Sequence, residues 1–222
     1  MSSPEALRIA VLVSGGGTNL QALIDNERQL AAAGAACPYT ICAVLSDRKA
    51  AFALERARQA GIPAETVSAY AALGAERAQN ADRDEKRLAV SALVLEKARQ
   101  YGAEALVLAG FLTVLCGDVI SQYAGRMINL HPALLPKFGG AGMWGRHVHE
   151  AVLAAGETES GCTVHLADSG CDTGEILLQK KVPVYADDTP DTLYARIAPK
   201  EHEAIIEGVG LLARRLYCSA DN

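Results

Sequence analysis

What this 222-residue chain lacks narrows its possible roles before any motif is read. Positive charge is not in excess: 21 Lys and Arg are scattered among 26 Asp and Glu, for a formal net charge of −5, and no basic face of the kind polyanion binding demands is in view. Nucleic acid is therefore not an expected partner. No apolar run approaches the roughly 18 residues or more that span a bilayer, and the N-terminus lacks the basic region plus apolar stretch of a secretory signal. The expectation is a soluble, cytoplasmic protein with no membrane partner. The cysteines (Cys37, Cys42, Cys116, Cys162, Cys171 and Cys218) form no CxxC pair and are too sparse for a stapled secreted fold, so they read as free buried thiols. For Cys162 and Cys171, which flank a polar segment, a redox or metal role is the lesser alternative. Internal repeats, low-complexity tracts and Pro/Ser-rich linkers are also missing. With half its residues hydrophobic, the chain reads as one domain over 1–222, built on one substantial core.

What is present is an alternation of short β-rich runs with longer helical ones, which predicts an α/β fold with a mostly parallel central sheet and helices on both faces. Ile9 to Val13 is almost unbroken apolar sequence, as a strand buried on both faces should be. Further strands are expected at Tyr39 to Leu45, at a short edge near Glu65 to Val67, at Ala105 to Leu108 and at Arg126 to Leu130. Helices are expected at Leu20 to Ala33, at Ala50 to Ala60 and in a long segment ending near Tyr101. In that long helix Leu88, Ala92, Leu95 and Arg99 share one side, and the charged run Asp82 to Arg87 reads as its solvated first turn. After the loop Pro132 to Trp144, His147 to Ala155 reads as a helix. Cys162 to Leu166 and Glu175 to Val184 then read as a hairpin-like strand pair around the turn-rich Asp168 to Gly174. Thr189 to Leu216 is a final helical region that Pro199 is expected to break or to open in its second half. The tail Ser219 to Asn222 is expected to fray.

Three constellations carry chemistry. SGGGTN, Ser14 to Asn19, lies between the first strand and the first helix, where glycines allow close backbone approach and a helix start offers unpaired N–H groups to an anion such as phosphate. It has neither the lysine of GxxxxGK[ST] nor the third glycine of GxGxxG, which Leu20 replaces. Asp47, after the second strand, keeps a ribose contact and a dinucleotide site open as a lesser reading. As plain structure, Thr18 or Asn19 would cap the helix. The second constellation is Asn129 and His131, two residues apart on one face of an extended segment that runs into proline-punctuated loop. The amide can donate to an oxygen acquiring negative charge, and the imidazole can donate or shuttle a proton near neutral pH. The third comprises Thr163, His165, Asp168 and Asp172. Asp168 reads as a turn residue, whereas spacing alone leaves Asp172 open between a turn residue and a carboxylate that would orient His131 and raise its pKa. His147 and His149 form an HxH string, but on a helix residues two apart diverge, so no metal is expected there. The single Trp144, in a glycine-rich loop, suits a mobile lid.

Taken together, SGGGTN, LVLAGF at 106–111, INLHPALLPKFGG at 128–140 and GCTVHLADSGCDTGEILLQ at 161–179 closely resemble the phosphoribosylglycinamide formyltransferases, the folate-dependent enzymes of purine synthesis. The likeness runs in order from about Arg8 to Leu212. NLHPALLP alone resembles the wider group that includes methionyl-tRNA formyltransferase and formyltetrahydrofolate deformylase. Those relatives carry an added domain, which is not expected in a chain of this length.

The resemblance implies a Rossmann-like sheet with a mononucleotide half at the N-terminus and a folate pocket toward the C-terminal half. It implies transfer of the formyl group of 10-formyltetrahydrofolate, as cosubstrate, to the amine of 5-phosphoribosylglycinamide, with no metal or redox cofactor. By the same match Asn129, His131 and Asp172 fall on catalytic positions. Gly17, Thr18 and Asn19 fall on the phosphate site, and Glu201 on a ribonucleotide contact. Leu112, Thr113, Val114 and Leu115 fall on the folate-lining segment together with Asn129, with the loop Ala167 to Asp172 around the pterin and Arg87 near a basic folate contact. The chain departs from the pattern at Thr113, where relatives often carry Arg, and at Ala198, where many carry Lys or Gln, so that Lys200 is a candidate substitute for the anion contact. GGAGMWGRHVH is longer than in some relatives. A monomer or homodimer is expected. The competing readings are hydrolysis of 10-formyltetrahydrofolate by the same Asn and His, and a non-catalytic nucleotide-binding module.

Overall fold

The computed structural model describes residues 6–218; the tail 219–222, expected to fray, lies outside the described residues. Seven strands form one sheet: β1 (Leu7–Val13), β2 (Tyr39–Ser46), β3 (Ala64–Thr66), β4 (Ala105–Leu108), β5 (Met127–His131), β6 (Glu159–Leu166) and β7 (Ile176–Pro183). Their order is β3-β2-β1-β4-β5-β6-β7. The first five pair in parallel, and β6 and β7 add as antiparallel strands, with Asn129 opposite His165 and His131 opposite Thr163. The parallel part has the strand order of a Rossmann-like half, and its direction of winding reverses between β1 and β4. Ligands of such sheets bind outside the carboxyl ends of the strands at that reversal.

The apolar run of β1 is explained by burial on both faces: Ile9, Val11 and Val13 join one core cluster and Ala10 and Leu12 the other. The first cluster is closed by α1 (Thr18–Ala32), α2 (Phe52–Gln59) and α8 (Pro190–Cys218), the second by α5 (Arg83–Gln100) and α6 (Asp118–Gln122). Two short helices, α3 (Ala69–Leu73) and α4 (Ala75–Asn80), precede α5, and α7 (Arg146–Ala154) packs on α8. Three of these, α3, α4 and α6, are only five or six residues long and escape a periodicity reading, which needs several turns.

Three expectations are corrected. The buried side of α5 is Val90, Ser91, Val94, Leu95 and Ala98, whereas Leu88, Ala92 and Arg99 are exposed. The helix meets the sheet through its small residues, and Leu88 instead sits beside Gly117. Pro199 does not break α8, which runs unbroken from Pro190 to Cys218. An interior proline costs about 3 kcal/mol. Complete burial of Leu193, Ile197, Ile205, Val209 and Leu212 at roughly 1.5 to 3 kcal/mol each outweighs it several times. Finally, neither Thr18 nor Asn19 caps α1. The cap is Gly17, in left-handed conformation at φ 72°, with no side-chain hydrogen bond. A Cβ at Gly17 would lie 2.6 Å from the Cβ of Ala53, so α2 itself demands glycine there.

Candidate active site

The carboxyl ends of β1, β2, β4 and β5 open into one cavity of about 1570 Å³. That volume exceeds the roughly 300 to 1,000 Å³ of a pocket for one drug-sized ligand, so two substrates fit side by side. Asn19 and Glu201 line one part of it and Leu112, Thr113, Val114, Leu115 and Arg87 another, with Asn129, His131 and Asp172 in the same wall. The structure thus brings the residues expected from the resemblance to one cavity, with two exceptions. Gly17 and Thr18 do not line it, and the exposed backbone of the glycine loop stands beside it instead.

Asn129 and His131 come from the last turn of the β5 pleat, and Asp172 reaches them from the loop after β6. That loop is folded tightly enough to hold Asp172 at φ 59°, a conformation that Asp tolerates better than most side chains. Its carboxylate is shared. Oδ2 accepts the Gly140 N–H at 3.0 Å and lies 3.5 Å from His131 Nδ1, while Oδ1 accepts from Asn129 Nδ2 at 3.2 Å. Burial alone would raise the Asp172 pKa. The nearby His165 ring, with Nε2 3.5 Å from Oδ1, the charge of His131 and the Gly140 N–H together outweigh burial and hold it below the usual carboxylate value.

His131 is nearly buried, and its Nε2–H donates to the Phe138 carbonyl at 2.8 Å. Its pKa is not raised, as the nearby carboxylate alone would suggest, but lowered from 6.5. Burial is the largest cause, and it prevails over the opposing pull of Asp172 and Phe138. Burial therefore favours the neutral ring, against the raised pKa expected from Asp172.

A second correction concerns Asn129. His165, fully enclosed, commits its Nδ1–H to the Leu166 carbonyl at 2.8 Å, which leaves Nε2 as an acceptor. The Asn129 NH₂ group turns to it at 3.1 Å, so both amide hydrogens are engaged, one by His165 and one by Asp172. Neither donor expected for an oxyanion is idle. His165 thus orients the amide, a role the sequence suggests only through its shared strand face with Thr163; the β5–β6 register that brings it to Asn129 is not legible there. Thr163 itself is structural, its Oγ1 donating to the Ala133 carbonyl and accepting the Leu135 N–H.

Asn19 Nδ2 donates to Glu201 Oε2 at 3.2 Å, which joins α1 to α8 at the ribonucleotide end expected from the resemblance. Burial raises the Glu201 pKa, and the Asn19 bond offsets part of this. Lys200 does not reach this end: its ammonium pairs with Glu203 at 2.9 Å. On the other side Arg87 donates to the carbonyls of Val114 at 2.7 Å and Leu115 at 3.3 Å, so it braces the segment it was expected to work with. Thr113 donates to Asp47 Oδ2 at 2.7 Å, which ties the first two candidates for a departure and a ribose contact to each other. Asp168 accepts the Gly170 N–H and the Thr173 hydroxyl, as a turn residue should. Cys162 is buried and its thiol is pushed up to about 12, and Cys171 is a free thiol beside Asp172 with a pKa raised chiefly by burial.

His147 is exposed against Trp144 and Glu150, while His149 is buried, so the two diverge as helical spacing requires. Among the described residues no three His, Cys, Asp or Glu side chains gather as a metal-binding group, and no helix is long and apolar enough to cross a membrane.

His149 also has its pKa lowered from 6.5, by burial first and by the charge of His131 second. A histidine whose folded pKa lies below its unfolded value costs stability as pH falls through that window, because only the unfolded chain takes the proton. The melting temperature should therefore drop as pH is lowered from 7.5 to 5.5, and less steeply in His149→Gln. Parallel curves for the two proteins would show that this ring does not contribute.

Comparison with known proteins agrees with this geometry. The family model described as formyl transferase matches residues 7–209. Phosphoribosylglycinamide formyltransferase of Escherichia coli K12 is 39% identical over 196 residues, covering 88% of this chain and 82% of that protein. The trifunctional purine biosynthetic protein adenosine-3 of Drosophila melanogaster is 39% identical over 212 residues, 96% of this chain, which spans only 14% of that protein's length. Among solved structures, glycinamide ribonucleotide transformylase 1 of Symbiobacterium toebii superposes with a TM-score of 0.82 at 35% identity, covering 96% of this chain and 90% of the other. Sheet order, cavity and sequence thus lead to one assignment: the chain belongs to the formyl transferase family and, within it, to the phosphoribosylglycinamide formyltransferase group.

Proposed function

We propose that this chain, acting as one domain in the cytoplasm, transfers the formyl group of 10-formyltetrahydrofolate to the amine of 5-phosphoribosylglycinamide, giving formylglycinamide ribonucleotide and tetrahydrofolate. The observation that carries the reading is the meeting of Asn129, His131 and Asp172 in the wall of a cavity large enough for both substrates. The ribonucleotide lies toward Asn19 and Glu201 with its phosphate on the N–H groups from Gly17 to Asn19. The folate lies along Leu112, Thr113, Val114 and Leu115, with Arg87 behind them.

Attack of the neutral amine on the formyl carbon builds a tetrahedral centre with an oxyanion and a positively charged nitrogen. His131, neutral at rest, takes the amine's proton at Nδ1, directly or through one water, and Asp172 Oδ2 at 3.5 Å then faces a cation. As the carboxylate turns to that cation, the Asn129 N–H it held at 3.2 Å is freed for the oxyanion. Charge in the site is thus better satisfied in the transition state than at rest, which is the condition for catalysis. The proton passes from the imidazolium to the departing folate nitrogen as the intermediate collapses.

Assay with and without phosphoribosylglycinamide separates transfer from hydrolysis. Donor consumption that depends on the acceptor, with the formyl group recovered on its amine, is expected; formate release at a comparable rate without acceptor would replace this reading by a hydrolase. Glu201→Gln gives up one charged acceptor, a hydrogen bond worth about 1.5 to 3 kcal/mol. The KM for the ribonucleotide should rise about tenfold or more with a smaller change in kcat. An unchanged KM would remove Glu201 from the ribonucleotide site.

A further inference from the structure

The glycine loop between β1 and α1 is tied at Ser14 to Gly110 and Leu112, while its Gly15 and Gly16 carbonyls are held from α2. Ala53 N–H, at the start of α2, donates to the Gly15 carbonyl at 3.1 Å, and Arg56 Nε, one turn on, donates to the Gly16 carbonyl at 2.8 Å. A trans peptide unit is planar, with its N–H opposite its C=O. Fixing the Gly15 and Gly16 carbonyls toward α2 therefore aims the N–H groups of Gly16 and Gly17 away from it, and no acceptor within the described residues takes either of them. Arg56 also donates through Nη1 to Gln21 Oε1 at 3.0 Å on α1, so one guanidinium joins the loop, the helix that follows it and α2.

The charge of Arg56 is not spent locally. Among the described residues no carboxylate forms an ion pair with it, although Glu55 next to it pairs with Arg58; its other neighbour is the Phe52 ring, 5.0 Å away. Lys200, the cation that sequence comparison offers for the phosphate, is engaged by Glu203. A cation on the carbonyl end of a peptide unit also polarises the N–H at the other end, which strengthens it as a donor to an anion.

We propose that Arg56 is a positioning residue for the phosphate of the ribonucleotide, one that aims and polarises the Gly17 N–H group, next to the Gly16 N–H that Ala53 sets, and supplies the positive charge that the Ala198 position does not. This rests on the substrate reading above, and it makes phosphate recognition a property of α2 as well as of the loop.

The test compares two amines, 5-phosphoribosylglycinamide and glycinamide riboside, which lacks the phosphate, by calorimetric Kd and by KM and kcat. Arg56→Gln should weaken the phosphorylated amine at least tenfold and the riboside no more than about twofold, with the loss in KM rather than kcat. Arg56→Lys keeps the charge and one donor but not the fork to Gln21, and should lose about threefold, again only for the phosphorylated amine; it also serves as the readable variant if the glutamine protein does not fold. Equal losses for both amines, or none, would overturn the role of Arg56 alone. A wild-type protein that binds both amines equally would overturn the phosphate cradle and this inference together.

Discussion

His131→Ala is expected to lower kcat by about three orders of magnitude while leaving the Kd of the ribonucleotide within a few-fold. General acid–base groups contribute roughly 10² to 10⁴, and a ring that also becomes the cation facing Asp172 falls in the upper part of that range, about 4 kcal/mol of barrier. The loss should be chemical and not structural. The ring sits against the cavity, and its one strong bond within the chain goes to the Phe138 carbonyl. A single-turnover experiment with both substrates bound checks this. Turnover within tenfold of wild type in a folded variant would take the proton-transfer role away from His131.

The acid limb of the wild-type profile follows from the same group. Because its pKa is lowered, the neutral base persists below pH 6.5, and kcat/KM should fall only as pH drops through the lowered value. A standing imidazolium would show the reverse, with activity lost as pH rises.

Asp172→Asn is the second large effect. The substitution keeps the shape and removes the charge that stabilises the imidazolium at 3.5 Å, and it places an amide where Asn129 Nδ2 and Gly140 N–H now find acceptors. Loss of a charge directed at a transition-state cation in a water-poor site costs about 10² to 10³ in kcat, roughly 3 to 4 kcal/mol. Affinity for the ribonucleotide should change little, because the proposed reading assigns that end to Asn19 and Glu201. The acid limb should move to lower pH, since one of the influences raising the His131 pKa is gone. Both readouts are required: a fall in kcat with no movement of the limb would mean that Asp172 orients the loop without acting on His131.

Much of the scaffold is legible in the residues. Strands buried on both faces, such as the run from Ile9 to Val13 and Ala105–Leu108, announce themselves as continuous apolar runs, and Asn129 with His131 stands out as polar residues at the end of one. What escaped depends on depth and register. The charge of His131 is decided by how far it is buried, and sequence supplies the carboxylate but not the burial. His165 reaches Asn129 through the antiparallel β5–β6 register, which a two-residue slip would abolish without altering the pattern of either strand. The buried face of α5 is hard to read from spacing because valine, serine and alanine make most of it beside Leu95, while the first leucine, Leu88, is exposed. Pro199 misleads for a related reason, since the burial on either side of it is a tertiary quantity.

The most direct test of the central claim is a crystal structure of the protein with phosphoribosylglycinamide and a stable folate analogue. The account predicts the phosphate against the N–H groups of the 15–19 loop and the amine within about 3.5 Å of the position of the formyl carbon, the near-attack distance. His131 and Asn129 should flank that point. A phosphate bound elsewhere, or an amine separated from His131 by the width of the cavity, would contradict it.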